Sequence, residues 1–290
     1  MIGFFLWFLN HGCEAQKSSD LIIFSYDRPM QLYALLESVE KYVYGLNDTH
    51  VIYRASSDEY QEAYKIILEH FRHVHAYRQS SQPTKDFKEL TMQVISKLAS
   101  DYVMFAVDDI IVTDFVDLSL CIALIEILQA YGVYLRLGTH LTYCYTMQQP
   151  QPVPKFDYVL DDICIWQFEE GILDWKYPNT VDMTLYRKQD VIEALKNLTF
   201  FAPNSLEGSW AAHASKVLKK KGIFFEHTKI INIPLNRVQQ ECPNINMEAY
   251  DTHTLLEFFM NGLKIDIAPL FRINNNAAHM AYMPSFVPRS

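Results

Sequence analysis

Between residues 20 and 109 the chain switches hydrophobic period repeatedly, and this alternation limits its fold more than any other feature. LIIFSY (21–26) is an uninterrupted apolar run of strand length. From Pro29 to Tyr44 the apolar residues Leu32, Leu35, Leu36, Val39 and Val43 then fall at helical spacing. HVIYRA (50–55) predicts a second strand, and Asp58 to Phe71 a second helix with Ser57 as its N-cap. VHAYR (74–78) predicts a short third strand, and Pro83 to Ala99 a third helix with proline in its first turn. The most hydrophobic segment, YVMFAV (102–107), runs directly into Asp108-Asp109. Strands and helices alternating through short links predict an α/β fold, a mostly parallel sheet with helices on both faces.

Beyond residue 117 the pattern loosens. Asp117 to Tyr131 predicts a helix, VYLRLG (133–138) a strand, and 139–162 a loop or sheet edge. ICIWQF and VDMTLYR predict strands. Helices are expected at 188–197, 205–221 and 248–261, with a strand region at 223–233, and the tail from Lys264 shows little periodicity. No repeat or linker divides the chain. The organisation expected is an N-terminal extension (1–19) and a single domain (20–290), with a nucleotide-like first half (20–115) and a more elaborate second half (116–290).

Composition removes several function classes. Half of the 290 residues are hydrophobic and 20% are charged, which excludes a disordered chain. Only 9 residues are glycine, so a machine built on glycine-rich phosphate loops is disfavoured. A net charge of −9 without a basic cluster argues against nucleic acid as a partner. The 5 cysteines form no CxxC pair, which argues against structural zinc and for reduced, buried thiols in a cytoplasmic compartment. The apolar start, MIGFFLWFL, falls short of the roughly 20 residues a membrane helix needs. Membrane association is left open rather than supported.

Chemistry concentrates at the predicted strand ends. In an open parallel sheet, ligands sit outside the carboxyl ends of the strands. Two adjacent carboxylates there, Asp108 and Asp109, suit a hard divalent cation, the alternative being a capped turn. The first strand ends in Ser25-Tyr26-Asp27-Arg28-Pro29, which places Asp27 and Arg28 beside the same ligand position.

Here the chain resembles the GT-A glycosyltransferases, above all the family-2-like type. Their first strand leads into a T-Y-N-R-P segment and a leucine-rich helix, and this chain reads F-S-Y-D-R-P followed by L-L-E-S-V. Asp108-Asp109 falls where that superfamily keeps its DxD motif. By motif the resemblance covers residues 20–115. It implies a Rossmann-like fold, a nucleotide-diphosphate sugar donor, Mn²⁺ or Mg²⁺ on the diphosphate, and a glycan or other hydroxyl acceptor. On the donor side it implies Ser25, Tyr26, Asp27 near the base, Arg28 near base or phosphate, and Asp108 on ribose or metal. Asp109 is the leading metal ligand, and His279, in NNNAAHMAYMPSF, is the third, brought over the donor by a folded-back tail. Two departures stand out. Arg54 occupies the neighbourhood where the family often has an aspartate for uridine, and Gln79 to Lys88 replaces an asparagine- and glycine-rich segment, leaving Lys88 to face the diphosphate or simply solvent.

In inverting members a carboxylate at an acceptor-side helix takes the acceptor proton. Asn204-Ser205-Leu206-Glu207-Gly208-Ser209-Trp210 resembles that region, which makes Glu207 the candidate base and Asp182 its competitor. Trp210, Trp166 and Trp175 are the expected acceptor-stacking residues. The expectation is thus a metal-dependent, inverting glycosyltransferase of glycan biosynthesis. The alternatives are a catalytically silent nucleotide- or sugar-binding protein and a sugar-phosphate nucleotidyltransferase. The latter usually carries G-x-G-T-R where this chain has SYDRP.

Overall fold

The computed structural model describes residues 17–80, 82–238 and 250–289. The N-terminal extension expected up to residue 19 therefore lies almost wholly outside the described residues, as do Cys13 and Cys242. Nine strands form one sheet: β1 (Ser19–Tyr26), β2 (Leu46–Arg54), β3 (His75–Arg78), β4 (Tyr102–Val107), β5 (Gly132–Tyr134), β6 (Phe156–Leu160), β7 (Ile163–Gln167), β8 (Thr184–Arg187) and β9 (Lys221–Phe225). Their spatial order is β6-β7-β9-β5-β8-β4-β1-β2-β3. β1 to β4 are parallel neighbours, while β8 runs against β4 and β5, and β7 against β9 and β6. The sheet is mixed but mostly parallel, as the alternating pattern predicts.

Period-two alternation sends successive side chains to opposite faces. In β1, Leu21 and Ile23 join one core, Ile22 and Phe24 the other. In β4, Met104 and Ala106 face the first, Val103 and Phe105 the second. The first core is covered by α1 (Pro29–Tyr42), α2 (Asp58–His70), α4 (Leu118–Leu128) and α7 (Thr252–Met260). The second is covered by α3 (Pro83–Lys97), α5 (Lys188–Leu195) and α6 (Pro203–Ala211). A sheet buried on both sides requires strands apolar at every position, which is why LIIF and YVMFA read as continuous runs.

Local chemistry sets the helix ends. Ser57 caps α2 by accepting from Tyr60 N, and Asp117 caps α4 by accepting from Ser119 N and Leu120 N. Asp251 caps α7 through Thr254 N. Two expected elements are shorter. The strand begun at Gly132 stops at Tyr134, where Arg136 turns away to pair with Asp174. The helix expected over 205–221 ends at Ala211 and gives way to a 3₁₀ turn, Ala214–Lys216, because residue 221 already opens β9.

The tail is ordered around a second, smaller ribbon. Ile110–Val112, just after Asp109, pairs antiparallel with Ile230–Asn232. Asp114 is buried between Lys229, at 2.7 Å, and Arg272, at 2.9 Å, and Arg272 N donates to Thr113 O. Burial alone would raise the Asp114 pKa, but these cationic partners hold it below the usual carboxylate range. From there the chain returns to Asn232, whose N–H donates to Ala278 O and whose carbonyl accepts from Met280 N. Among the described residues no helix is long and apolar enough to cross a membrane. Cys121, Cys144 and Cys164 are buried free thiols.

Candidate active site

A cleft of about 940 Å³ opens along the carboxyl ends of the parallel strands. Its floor is made by the exits of β1 and β4. Asp108 is 3% exposed, and its Oδ2 accepts from Ser25 Oγ at 2.8 Å and Tyr26 N at 3.2 Å. Ser25 Oγ also bonds Tyr64 Oη at 2.7 Å. Arg28 lies across both acids, with Nη1 3.0 Å from Asp108 Oδ1 and 3.2 Å from Asp109 Oδ2. Its other nitrogens donate to Asn236, Nε to Oδ1 at 3.0 Å and Nη2 to the carbonyl oxygen.

Burial dominates the protonation of this cluster. It raises the Asp108 pKa to about 6, with Arg28 pulling down and Asp109 pushing up, and it raises Asp109 as well. Burial works against the Arg28 charge, but the two carboxylates outweigh it and the guanidinium stays protonated. Asp109 Oδ1 is buried without a hydrogen-bond partner. His279 lines the same cleft, its ring stacked on Tyr145 at 6.0 Å.

Glu207, on α6, lines the same cleft. Its Oε1 accepts from Thr180 Oγ1 at 2.6 Å and from Val181 N at 3.0 Å. Burial, reinforced by the negative charge of Asp182, raises its pKa to about 7. Asp182 lines the cleft beside it. Arg136 and Asp174 form a buried pair at 3.0 Å in this cleft. Burial would raise Asp174, and the Arg136 guanidinium overrides it and holds its pKa low. Also lining the cleft, the Arg54 guanidinium lies 3.5 Å from the centre of the Tyr26 ring, a flat cationic platform.

The structure thus brings Ser25, Tyr26, Arg28, Arg54, Asp108, Asp109, Asp182, Glu207 and His279 to one cleft. Five expected residues lie elsewhere. Trp166, Trp175 and Trp210 are at most 2% exposed and belong to the second core. Trp166 Nε1 donates to Trp175 O, and the Trp210 ring packs 5.0 Å from Tyr186, so none offers a face to an acceptor. On α6, Glu207 faces the cleft and Trp210, three residues on, faces inward. Lys88 donates to the carbonyls of Lys196 and Leu198 and holds the end of α5 instead of facing a diphosphate. Asp27 is buried at φ 51° and its Oδ1 accepts from Ser56 N at 2.9 Å, so it ties the exits of β1 and β2 together behind the cleft. Sequence reasoning missed Arg136, Asp174 and Asn236. Arg136 carried a signal: it is the one charge between Gly132 and Gly138.

No protein-family model matches the chain. In an alignment 194 positions long that covers 59% of the chain, it is 26% identical to a protein named bifunctional glycosyltransferase pgtA from Dictyostelium discoideum. The chain is glycosyltransferase-like. The match takes in 24% of that relative, so the chain spans about a quarter of the protein it matches. Among solved structures, TarS (residues 1–349) from S. aureus matches with a TM-score of 0.43 and 11% identity, covering 72% of this chain and 58% of that one. GalNAc-T7 with UDP, GalNAc and Mn²⁺ matches with a TM-score of 0.49 and 11% identity, covering 84% and 48%. The chain's own strand order shows a mixed, mostly parallel sheet with acids at a strand exit.

Proposed function

We propose that this cleft transfers a sugar from a nucleotide-diphosphate donor to a hydroxyl acceptor with inversion. One juxtaposition carries the reading. A carboxyl group whose pKa is about 7 lines the same cleft as an acid pair at the exit of β4 that Arg28, from the exit of β1, bridges. A base with a pKa near the working pH is both ionised often enough and basic enough to take a hydroxyl proton.

In this reading the Tyr26–Arg54 platform receives the flat nucleobase, and Arg28 supplies positive charge beside the diphosphate. The acceptor enters by the wall of Glu207, Asp182 and the Arg136–Asp174 pair. Its oxygen attacks the anomeric carbon, Glu207 takes the hydroxyl proton, and the bond from that carbon to the diphosphate oxygen breaks. Asp182 acts through Glu207, raising its proton affinity by like charge. Thr180 and Val181 N fix the carboxylate's direction.

The reading gives a divalent cation two protein donors in this cleft. The free Oδ1 of Asp109 is one, and the His279 imidazole is the other, a pairing that suits Mn²⁺ better than Mg²⁺. Asp108 is already engaged through both oxygens by Ser25, Tyr26 and Arg28, so it orients the loop and is a weaker ligand than its neighbour. When bound, the cation would offset the charge that develops on the leaving diphosphate.

One observation favours the second reading, binding without transfer: the Arg28 guanidinium bridges the two acids where a cation would be expected. The deciding experiment incubates the protein with nucleotide-diphosphate sugars, with and without Mn²⁺, and measures released nucleotide diphosphate. Turnover that falls in Glu207→Gln while donor affinity persists supports transfer. Tight donor binding with no release from any donor, with or without acceptor, supports the silent binder.

A further inference from the structure

At the amino ends of the same strands, on the far side of the sheet from the cleft, lies a second cluster of ligating groups. Asp20 stands near the start of β1, Asp48 and His50 on β2, and His75 at the start of β3. The register aligns Ile22 with His50 and His50 with His75. Asp20 lies two residues from Ile22, so period two puts the side chains of Asp20, His50 and His75 on one face, while Asp48 sits at the irregularity where the register of β1 and β2 shifts between Ser19 and Leu21. One ligand atom from each of Asp20, Asp48 and His50 lies within 4.8 Å of the others. Among the described residues it is the one group of three or more such side chains this close.

Two features make this more than a patch of acids. Asp20 is 0% exposed and His50 8%, yet Asp20 Oδ2 and His50 Nε2 have no hydrogen-bond partner. Buried polar atoms without partners cost free energy and ask for a ligand. Their other atoms are fully used. Asp20 Oδ1 accepts from Asn47 Nδ2, Asp48 N and Ser100 Oγ, and His50 Nδ1 lies 3.3 Å from Tyr77 Oη. A metal-bound histidine is usually oriented in this way, with its second nitrogen donating to an outer partner and the first left as a lone pair.

We propose that Asp20, Asp48 and His50 form a binding site for a first-row transition-metal cation of the Zn²⁺ type, separate from the cleft and independent of its chemistry. Two carboxylates and one imidazole are the donor set of such a cation, with water in the remaining position. Bonds of 2.0–2.2 Å hold ligand atoms roughly 3–4 Å apart, so side-chain rotation closes the site without moving the strands. His75, stacked on His50 at 5.0 Å and 3.5 Å from Asp48 Oδ1, steadies the outer side. The site would tie β1 to β2 near their amino ends.

The test uses the full chain carrying Asp109→Asn, so that the cleft does not contribute a carboxylate. After chelation and dialysis it is titrated with Zn²⁺ by calorimetry and with Co²⁺ by visible absorption. One Zn²⁺ per chain is expected, with a Co²⁺ spectrum showing nitrogen ligation. Adding His50→Gln should abolish that spectrum and weaken Zn²⁺ by more than about tenfold. Adding Tyr77→Phe should weaken it by about tenfold, as loss of an outer partner does. Circular dichroism confirms folding, and Asp48→Asn, at a half-exposed position, serves if the His50 variant unfolds. Equal Zn²⁺ binding with and without these substitutions, or no binding at all to the Asp109→Asn chain, would overturn the proposal.

Discussion

Glu207→Gln should make the protein more stable at alkaline pH while disabling it. A buried carboxyl at a pKa of about 7 binds a proton more tightly folded than unfolded, where its ordinary value is 4.5. Stability is therefore lost as pH rises from 4.5 through 7, because the folded state must give up a proton it holds more tightly. The difference of 2.5 units at about 1.4 kcal/mol each is about 3 kcal/mol. Partial exposure at the cleft wall reduces this to ~1–2 kcal/mol. Glutamine keeps an oxygen to accept from Thr180 Oγ1 and Val181 N and carries no charge beside Asp182. Urea denaturation should then show the variant ~1–2 kcal/mol more stable than the parent at pH 8, and near parity at pH 5. Transfer should fall by about 10²–10⁴, the usual contribution of a positioned base. In the parent, kcat/KM should rise with pH through a pKa near 7, and this limb should vanish in the variant. A Gln variant equally destabilised at both pH values would refute the reasoning, because it would make Glu207 a structural hydrogen-bonding residue with an ordinary pKa.

Asp109→Asn should weaken Mn²⁺-dependent donor binding by tenfold or more in calorimetry, since the free Oδ1 is its strongest open ligand position; unchanged affinity would remove Asp109 from the metal site. His279→Ala should weaken Mn²⁺ binding in the presence of donor and barely shift Tm, as the backbone around residues 278–280 rather than the imidazole holds the tail to Asn232. Trp210→Phe should cost about 1–3 kcal/mol in denaturant titration and leave acceptor KM unchanged, because the ring is buried in the core. A selective rise in acceptor KM at full stability would restore it to the acceptor site.

The first half of the fold was legible because both sheet faces are covered, which forces continuous apolar strands and leaves little ambiguity in period. The boundaries of β1, β4 and α2 follow closely from LIIFSY, YVMFAV and the Ser57 cap. The second half was less so, since antiparallel edge strands, ribbons and 3₁₀ turns are fixed by long-range partners. Asp114 with Lys229 and Arg272, and Arg136 with Asp174, are examples whose members lie 38 to 158 residues apart.

The site divides along the same line. Asp108, Asp109, Ser25, Tyr26 and Arg28 sit at strand exits, and topology alone carries a strand exit to the ligand edge of a parallel sheet. For the tryptophans, being apolar in the acceptor half could not distinguish cleft from core, and their volume decided in favour of burial. The relation between Arg28 and the acid pair was beyond reach for a different reason. Each residue was assigned to the cleft from its own position, but whether guanidinium and carboxylates face a ligand or one another depends on a geometry of about 3 Å. Asn236, from a segment more than two hundred residues away, settles it by taking the remaining guanidinium nitrogens and so aiming Arg28 at Asp108 and Asp109. The guanidinium thus already offsets one of the two carboxylate charges on this floor. In the proposed reading, a donor diphosphate entering here draws Arg28 partly away from the acids and frees the carboxylates for a cation. Donor and metal binding are then coupled, and each should tighten the other by the same factor. Calorimetry of Mn²⁺ with and without nucleoside diphosphate measures that factor directly. Equal Mn²⁺ affinity in the two titrations would mean that Arg28 does not yield.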